Sequence, residues 1–193
     1  MSPVDSNESS RAKLLELLAT HAYKKGEFVL ASGKKSNFFI DCKEVILRGE
    51  GHVLVGHVLF HALQDVAPLD AVAAVAIGGC PLASAVSTVS TMIGAPLDAL
   101  YIRKAKKDHG TGQQIDGLGV LKGPSKVAVL EDVLTTGGSL RFAVERIIAA
   151  GHEVVAAIVL VDRQEGGIVA LEDLNIPILS IFRKKDFFEN EKK

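Results

Sequence analysis

The chain has 193 residues, of which 48% are hydrophobic and 23% charged, a composition typical of a globular protein rather than a disordered or fibrous one. Its 22 basic and 23 acidic residues leave a formal net charge of −1, which excludes a surface built throughout for nucleic acid or anionic lipid. The longest apolar run, residues 154–161, is far shorter than the roughly 20 residues that a membrane-spanning helix needs.

The first 48 residues predict a small accessory lobe. Closely spaced leucines between positions 14 and 18 predict a first helix, with Gly26 as its stop signal. Two short strand-like runs follow at 28–30 and 38–42, joined by a Ser-Gly-Lys-Lys turn. We therefore divide the chain into a lobe of residues 1–48 and a core of residues 49–193.

The core alternates apolar strands with helices. Apolar residues at three- and four-residue spacing predict a helix over 51–67 that Pro68 ends. The elements predicted next are strand 71–77, helix 81–94, strand 97–102, strand 126–131, helix 139–150, strand 153–161, a weaker helix, and strand 176–182. Strands that are apolar throughout are typical of a parallel sheet covered on both faces. The sequence thus predicts an α/β fold with a mostly parallel, twisted sheet flanked by helices.

The segment after strand 126–131 carries the strongest chemical signal. The strand ends in Glu131 and Asp132, and the loop at 135–139, Thr-Thr-Gly-Gly-Ser, opens directly into a helix. Ligands of open α/β sheets bind at the carboxyl ends of strands, and a glycine turn before a helix presents N–H groups to an anion. Ser139 is predicted to cap the helix. Since the two acids suit neutral hydroxyls, the favoured ligand is a sugar phosphate.

Spacing excludes two other phosphate-binding patterns. No GxxxxGK[ST] sequence is present, and the glycines at 110, 112 and 117 neither form GxGxxG nor open a helix after a strand. An ordinary strand–helix loop without a ligand remains the alternative at this point.

The sequence LEDVLTTGGS resembles the phosphoribosyl-diphosphate (PRPP) signature of the type I phosphoribosyltransferases. Three further segments resemble orotate phosphoribosyltransferases in the same order along the chain: LASGKKSNFFIDCK (30–43), YIRKAKKDHGTGQQIDG (101–117) and VDRQEGG (161–167). The resemblance implies the type I phosphoribosyltransferase core with an N-terminal hood that binds the base. It also implies transfer of the 5-phosphoribosyl group of PRPP to orotate, giving orotidine 5′-monophosphate and diphosphate in de novo pyrimidine (UMP) biosynthesis.

The resemblance assigns roles to individual residues. It implies PRPP binding by Arg103, Lys104, Lys107, His109, Glu131, Asp132, Val133, Leu134, Thr135, Thr136, Gly137, Gly138 and Ser139. It implies orotate binding by Thr135, Arg163 and Phe39, and catalytic roles for Lys107, His109 and Asp132. The sequence IGGCP (77–81) matches a diphosphate-binding turn.

Cofactor and partners follow from the same resemblance. Mg²⁺ is expected to bridge diphosphate and ribose oxygens, held mainly by PRPP and water and not by protein ligands. The family implies a homodimer in which Lys107 and His109 reach the neighbouring subunit's site. Neither nucleic acid nor membrane is expected as a partner. The absence of a CxxC pair and of an apparent signal peptide predicts a cytoplasmic location.

Several alternatives stay open on the sequence. A purine-base phosphoribosyltransferase is one, although a neutral purine offers no carboxylate to the planar fork of Arg163. A PRPP-sensing regulator that has lost catalysis is another. Arg163 could instead form a structural ion pair with Asp162 or Glu165, and the basic stretch after residue 103 could be a solvated hairpin.

Overall fold

The structure is a computed structural model, and it describes residues 7–29, 35–66, 68–105 and 114–189. Its helices are α1 (Asn7–Leu17), α2 (Lys43–Ile46), α3 (Gly49–Leu63), α4 (Cys80–Ile93), α5 (Gly138–Ala149) and α6 (Lys184–Glu189). Its strands are β1 (Tyr23–Val29), β2 (Lys35–Ile40), β3 (Ala71–Val75), β4 (Asp98–Ile102), β5 (Ile115–Asp116), β6 (Lys126–Leu134), β7 (Glu153–Asp162) and β8 (Ile178–Arg183). Single helical turns of other types cover Leu18–Ala22, Leu118–Val120 and Val169–Leu174.

Six strands form the central sheet in the order β5-β4-β3-β6-β7-β8. Every neighbouring pair is parallel except β4 and β5, which pair antiparallel. The predicted α/β fold with a mostly parallel sheet is therefore confirmed. Parallel strands bring their carboxyl ends to one edge of the sheet, and that edge is where the predicted site lies.

Two buried clusters cover the two faces of this sheet. Helices α1, α3 and α4 pack on one face, where they meet Val72 and Ala74 of β3. Helix α5 packs on the other face against Ala71 and Ala73. Because successive strand residues point to opposite faces, a strand covered on both sides has to be apolar throughout. No helix within the described ranges is long and apolar enough to cross a bilayer.

The hood consists of an antiparallel hairpin of β1 and β2 followed by α2, and the hairpin packs on the C-terminal helix. The ring of Phe38 lies 5.3 Å from that of Tyr23 and 5.8 Å from that of Phe187, and Phe38 is fully buried. Buried residues from both sides of position 48 belong to one cluster. The boundary at 48 stays a prediction, and the connecting residues 30–34 lie outside the described ranges.

Several predicted elements differ from the structure: β1 begins at Tyr23 and not at position 28, α3 ends at Leu63 and not at Pro68, and β3 ends at Val75 and not at position 77. The first helical stretch ends at Ala22 and not at Gly26, because the pairing of β1 with β2 begins at Tyr23 and overrides the local helix pattern. Strand β6 runs three residues past Glu131, because its ladder with β7 continues to Leu134. The weaker helix after β7 is a short 3₁₀ turn.

Candidate active site

Glu131 lies inside β6 with strands on both sides. It pairs with Val159 of β7 and is 8% exposed. Burial, and then the nearby charge of Asp132, raise the pKa of Glu131 from 4.5 to about 8, while the charge of Lys104 opposes this shift. The carboxyl of Glu131 therefore holds a proton at neutral pH.

Asp132 lies against the turn that follows β3. A Cβ atom on Gly78 would lie 2.3 Å from Oδ2 of Asp132, so the carboxylate fits there only because residue 78 is glycine. The Val133 backbone N–H donates to Oδ1 at 3.0 Å. Burial raises the pKa of Asp132, and both this hydrogen bond and the charge of Lys43 oppose the rise. The Asp132 carboxyl is thus supported in its ionised form more directly than that of Glu131.

The hood contributes a group of side chains next to Asp132. Lys43 Nζ lies 2.6 Å from Asp41 Oδ1, and this ion pair stands at the start of α2. The thiol of Cys42, between the two, donates to the backbone oxygen of Asp132 at 3.8 Å. Burial and then the charge of Asp132 raise the pKa of Cys42. The hood is therefore in direct contact with the acidic end of β6.

The turn at residues 135–138, which we call the phosphate turn, leads from β6 into α5. Gly137 has φ +86°, and a Cβ atom there would lie 2.9 Å from Cγ of Leu171. Both facts require glycine. The prediction that Ser139 caps the helix is wrong: α5 begins one residue earlier, Gly137 is its N-cap, and no side chain makes a capping hydrogen bond there. The first N–H groups of α5 therefore remain available to an anion.

The turn at residues 76–79 connects β3 with α4 and forms the next part of this edge. The Gly79 N–H donates to the Val75 carbonyl at 3.0 Å. A Cβ atom on Gly79 would lie 2.6 Å from that of Ala74, so the helix can approach β3 only with glycine here. Cys80 is the first residue of α4, and burial raises its pKa. Through Gly78 this turn also touches Asp132.

Strands β4 and β5, with residues 103–105 and 114, form a stem at the same edge. Arg103 Nε donates to Asp116 Oδ2 at 2.5 Å. The Arg103 N–H donates to the Gln114 carbonyl at 2.7 Å. The Gln114 amide donates to the carbonyls of Arg103 and Lys104 at 3.3 and 3.4 Å. The predicted catalytic residues Lys107 and His109 fall between the two sides of the stem and lie outside the described residues.

Arg163 joins the end of β7 to the hood. It is 5% exposed, and its N–H donates to the Leu134 carbonyl at 3.0 Å, directly before Thr135. Its Nη2 donates to the Phe38 carbonyl at 2.9 Å and lies 2.8 Å from Glu165 Oε1. The ion pair with Glu165 that the sequence left open is therefore formed. Asp162 is occupied otherwise, since it accepts the Gln164 N–H.

The predicted orotate residue Phe39 lies on β2 of the hood, directly after Phe38. Its ring centroid is 5.3 Å from that of Phe28 on β1. The carbonyl that receives Arg163 belongs to the residue before it. The structure thus brings the hood strand, Arg163 and the residue before Thr135 to one corner of the site.

Comparison with known proteins identifies the family. A family model described as phosphoribosyl transferase domain matches residues 56–174. Orotate phosphoribosyltransferase of Sorangium cellulosum is 49% identical over 179 residues, covering 93% of each chain. Orotate phosphoribosyltransferase of Synechocystis sp. is 50% identical over 157 residues, covering 81% of this chain and 78% of that protein. The chain belongs to the orotate phosphoribosyltransferase family.

Solved structures of an orotate phosphoribosyltransferase agree with this assignment. The Mycobacterium tuberculosis enzyme in complex with Fe(III) dicitrate is 29% identical and has a TM-score of 0.80, covering 92% of this chain and 98% of that one. Its complex with PRPP has a TM-score of 0.75 at 27% identity over the same shares. The predicted enzyme is confirmed: it transfers the 5-phosphoribosyl group of PRPP to orotate in de novo pyrimidine biosynthesis. The purine-base and regulatory alternatives are set aside.

Sequence reasoning missed four residues at this site. Asp41 and Lys43 stand in the quoted segment 30–43, but only the fold shows that they lie beside Asp132. Gly78 belongs to the matched turn at 77–81, and the reason for the glycine is the Asp132 carboxylate, 54 positions further along. Gln114 ties the two sides of the stem together, a role that becomes visible only once β4 and β5 pair.

Proposed function

We propose that PRPP binds with its ribose hydroxyls at Glu131 and Asp132 and its 5′-phosphate at the phosphate turn. The observation that carries this proposal is the direct passage from two adjacent carboxyls, buried Glu131 and half-buried Asp132, into a helix N-terminus that no side chain caps. Neutral hydroxyls suit the acids, and the free N–H groups and positive dipole end of α5 suit the phosphate. Residues 133–139 would line the phosphate, and Ser139 would offer its hydroxyl to it and not to the helix.

Orotate would bind between Thr135, Arg163 and Phe39. The support is the corner where β2 meets the end of β7, because Arg163 bonds to the hood there with one terminal nitrogen. The planar guanidinium fork can bind both oxygens of a carboxylate at once, which suits the carboxylate of orotate. Phe39 would then lie beside the base.

The reaction breaks the bond from ribose C1 to the diphosphate oxygen and forms a bond from C1 to a ring nitrogen of orotate, whose N–H proton passes to solvent or to the departing diphosphate. Glycosyl transfers of this kind pass through an oxocarbenium-like transition state. The ionised carboxylate of Asp132 would stabilise positive charge on the ribose, and Arg103 and Lys104 would stabilise negative charge on the departing diphosphate. Lys107 and His109, in the segment that the stem carries, would complete the cationic side.

Mg²⁺ fits the donor chemistry of this edge. The described residues contain no group of three His, Cys, Asp or Glu side chains that could hold a metal ion, so PRPP oxygens and water would supply most of the ligands. Such a coordination suits Mg²⁺, which keeps its waters and favours phosphate oxygens. The carboxyls of Glu131 and Asp132 are hard oxygen donors that suit its water shell. When bound, the ion would neutralise charge on the diphosphate.

The enzyme would act as a homodimer with shared active sites in the cytoplasm. Apolar side chains on α3 and α4 support an interface, since Val53, Met92 and Ile93 are each more than half exposed. The two cysteines are unpaired, which supports a reducing compartment. In such a dimer, Lys107 of one subunit would complete the site formed by Asp132 of the other.

Mixing two inactive variants tests the shared site. We expect Lys107→Ala to cost roughly 3–4 kcal/mol of transition-state stabilisation, as for loss of one preorganised donor, and Asp132→Asn to be similarly impaired. Dimers exchanged from equal amounts of both variants should recover about one quarter of wild-type activity, because half are heterodimers with one intact site each. Orotate consumption with PRPP and Mg²⁺ is the measurement.

Two results would contradict the proposal. A drop in kcat of less than about threefold for Lys107→Ala would show that this lysine is not catalytic, provided that chemistry limits the rate. Two impaired variants that exchange subunits without any recovery would show that each site is built from one chain.

A further inference from the structure

The guanidinium of Arg103 uses only its Nε atom in the ion pair of the stem. It is the first residue after β4, and its Nε donates to Asp116, the last residue of β5. Within the described ranges its two terminal nitrogens have no hydrogen-bond partner, and its side chain is 45% exposed. The end of the guanidinium fork can therefore meet two oxygens of an anion while Nε stays on Asp116.

The ion pair lies beside the turn at 76–79. Both of its charges act on Cys80, the first residue of α4, where Asp116 raises the pKa of the thiol and Arg103 lowers it, in addition to the larger effect of burial. The same turn touches Asp132 through Gly78. Arg103 thus stands between the stem and the edge where the ribose and diphosphate are proposed to bind.

Asp116 belongs to the fixed part of the stem. It pairs with Tyr101 of β4 across the antiparallel ladder. Gln114 donates to the carbonyls of Arg103 and Lys104 and accepts from Arg146 Nη1 of α5 at 3.4 Å. The carboxylate that holds Arg103 is therefore tied through the stem to α5, the helix that begins at the phosphate turn.

We propose that Asp116 is a positioning residue for the phosphoribosyl transfer: it holds Arg103 through Nε and presents the two terminal nitrogens to the diphosphate of PRPP. This inference rests on the proposed contact between Arg103 and diphosphate. A long arginine side chain loses rotamer freedom when it binds an anion, and a carboxylate that fixes it beforehand reduces that loss. Since Asp116 uses Nε and not the end of the fork, carboxylate and diphosphate need not compete for the same N–H groups.

A double-mutant cycle tests the inference, with Asp116→Asn, Arg103→Ala and the double variant. We expect Asp116→Asn to raise KM for PRPP and Kd for diphosphate about 5- to 20-fold while KM for orotate stays unchanged. Arg103→Ala should raise both constants at least as much, and the double variant should match Arg103→Ala. Asp116→Glu, which keeps the charge, should recover part of the affinity, and it serves as the test if Asp116→Asn does not fold.

Asp173→Asn is the matched control. Asp173 forms another exposed ion pair, with Arg141 Nη2 at 2.6 Å, and it has no place in the proposed site. Its removal should leave KM for PRPP unchanged, which separates loss of Arg103 positioning from loss of any surface charge.

The outcomes separate this inference from the proposed function. An unchanged KM for PRPP in Arg103→Ala would overturn the contact between Arg103 and diphosphate. A raised KM in Arg103→Ala with an unchanged or lower KM in Asp116→Asn would overturn the positioning role only, and a lower KM would mean that Asp116 competes with diphosphate. Additive losses in the double variant would also overturn it, since Asp116 would then act without Arg103.

Discussion

The end of β6 and the stem of β4 and β5 reach the same edge of the sheet, but they hold charge in different ways. On β6 two adjacent carboxyls are enclosed by strands, and burial raises the pKa of both. On the stem a cation and an anion are paired and partly exposed, with 45% of the Arg103 side chain and 34% of the Asp116 side chain accessible. The acids of β6 are therefore not fully compensated by nearby cations, whereas the charges of the stem compensate each other.

This difference has a physical reason in each element. The cations that act on Glu131 and Asp132, Lys104 and Lys43, belong to other parts of the chain and not to β6. A two-stranded stem at the sheet edge leaves long side chains room to meet across the ladder. Two adjacent carboxyls that are largely shielded from solvent favour neutral hydroxyls over a further anion. The exposed and oriented Arg103 favours an anion that arrives from solvent.

Glu131→Gln tests the buried side and has the largest expected effect. The folded protein keeps a proton on Glu131 between pH 4.5 and about 8, whereas the unfolded chain releases it, so wild-type stability falls as pH rises through that window. The amide has no proton to release. We expect the variant to be more stable than the wild type by roughly 3 kcal/mol at pH 7 and about equally stable at pH 4.

Urea unfolding at fixed protein concentration and several pH values measures this difference. The value at pH 4 is an internal control, because the carboxyl is then protonated in both states. If the difference between variant and wild type did not grow between pH 4 and pH 8, Glu131 would not be a neutral carboxyl in the folded enzyme.

Gly78→Ala tests the contact between the turn at 76–79 and Asp132. The new methyl group would lie 2.3 Å from Oδ2, so the carboxylate has to move. A displacement of about 1 Å at a reacting site costs up to about 100-fold, and we expect kcat/KM for PRPP to fall roughly 10- to 100-fold. Because the clash is with the end of a side chain, thermal stability should change little.

Gly49→Ala is the control for that variant, since a Cβ atom at Gly49 meets nothing within 4 Å. It should retain wild-type kinetics. Near-normal activity of Gly78→Ala would mean that Asp132 can leave its position against the turn without loss of function, and the tight packing there would have no catalytic meaning.

The central sheet could be predicted because each of its long strands is uniformly apolar, a pattern that survives without knowledge of neighbours. β5 could not be predicted, since two residues carry no periodic signal and become a strand only by pairing with β4. Gly26 and Ser139 show the same limit at the ends of elements. The stop signal at Gly26 was overridden by the pairing of β1 with β2, and Ser139 does not cap α5 because the helix begins one residue before it.

The site divides in the same way. Glu131, Asp132 and the phosphate turn are contiguous, so the sequence alone predicts that they lie together at the end of one strand. Lys43 and Gly78 act on Asp132 from about 89 and 54 positions away, and a contact of that kind requires the fold. The ion pair of Arg163 with Glu165 was left open, because residues two apart after a strand can face one another or not according to the turn between them.

Lys43→Met tests whether a cation of the hood helps to keep Asp132 ionised, and it has the smallest expected effect. The lysine charge lowers the pKa of Asp132, so its removal should raise that pKa and shift the acid limb of kcat/KM for PRPP to higher pH. Because 40% of the lysine side chain is exposed, solvent screens the interaction, and we expect only a small shift to higher pH. Activity should fall on the acid limb and approach wild type at alkaline pH. Lys43→Arg keeps the charge and should restore the wild-type profile, and added salt should reduce the difference between the Lys43→Met variant and the wild type.

An acid limb that stays in place, or moves to lower pH, would show that Asp132 is kept ionised by the Val133 N–H without help from the hood. The backbone of β6 would then stabilise the Asp132 carboxylate by itself. Of the two regions compared here, only the stem would hold its charged side chains through an ion pair between two elements.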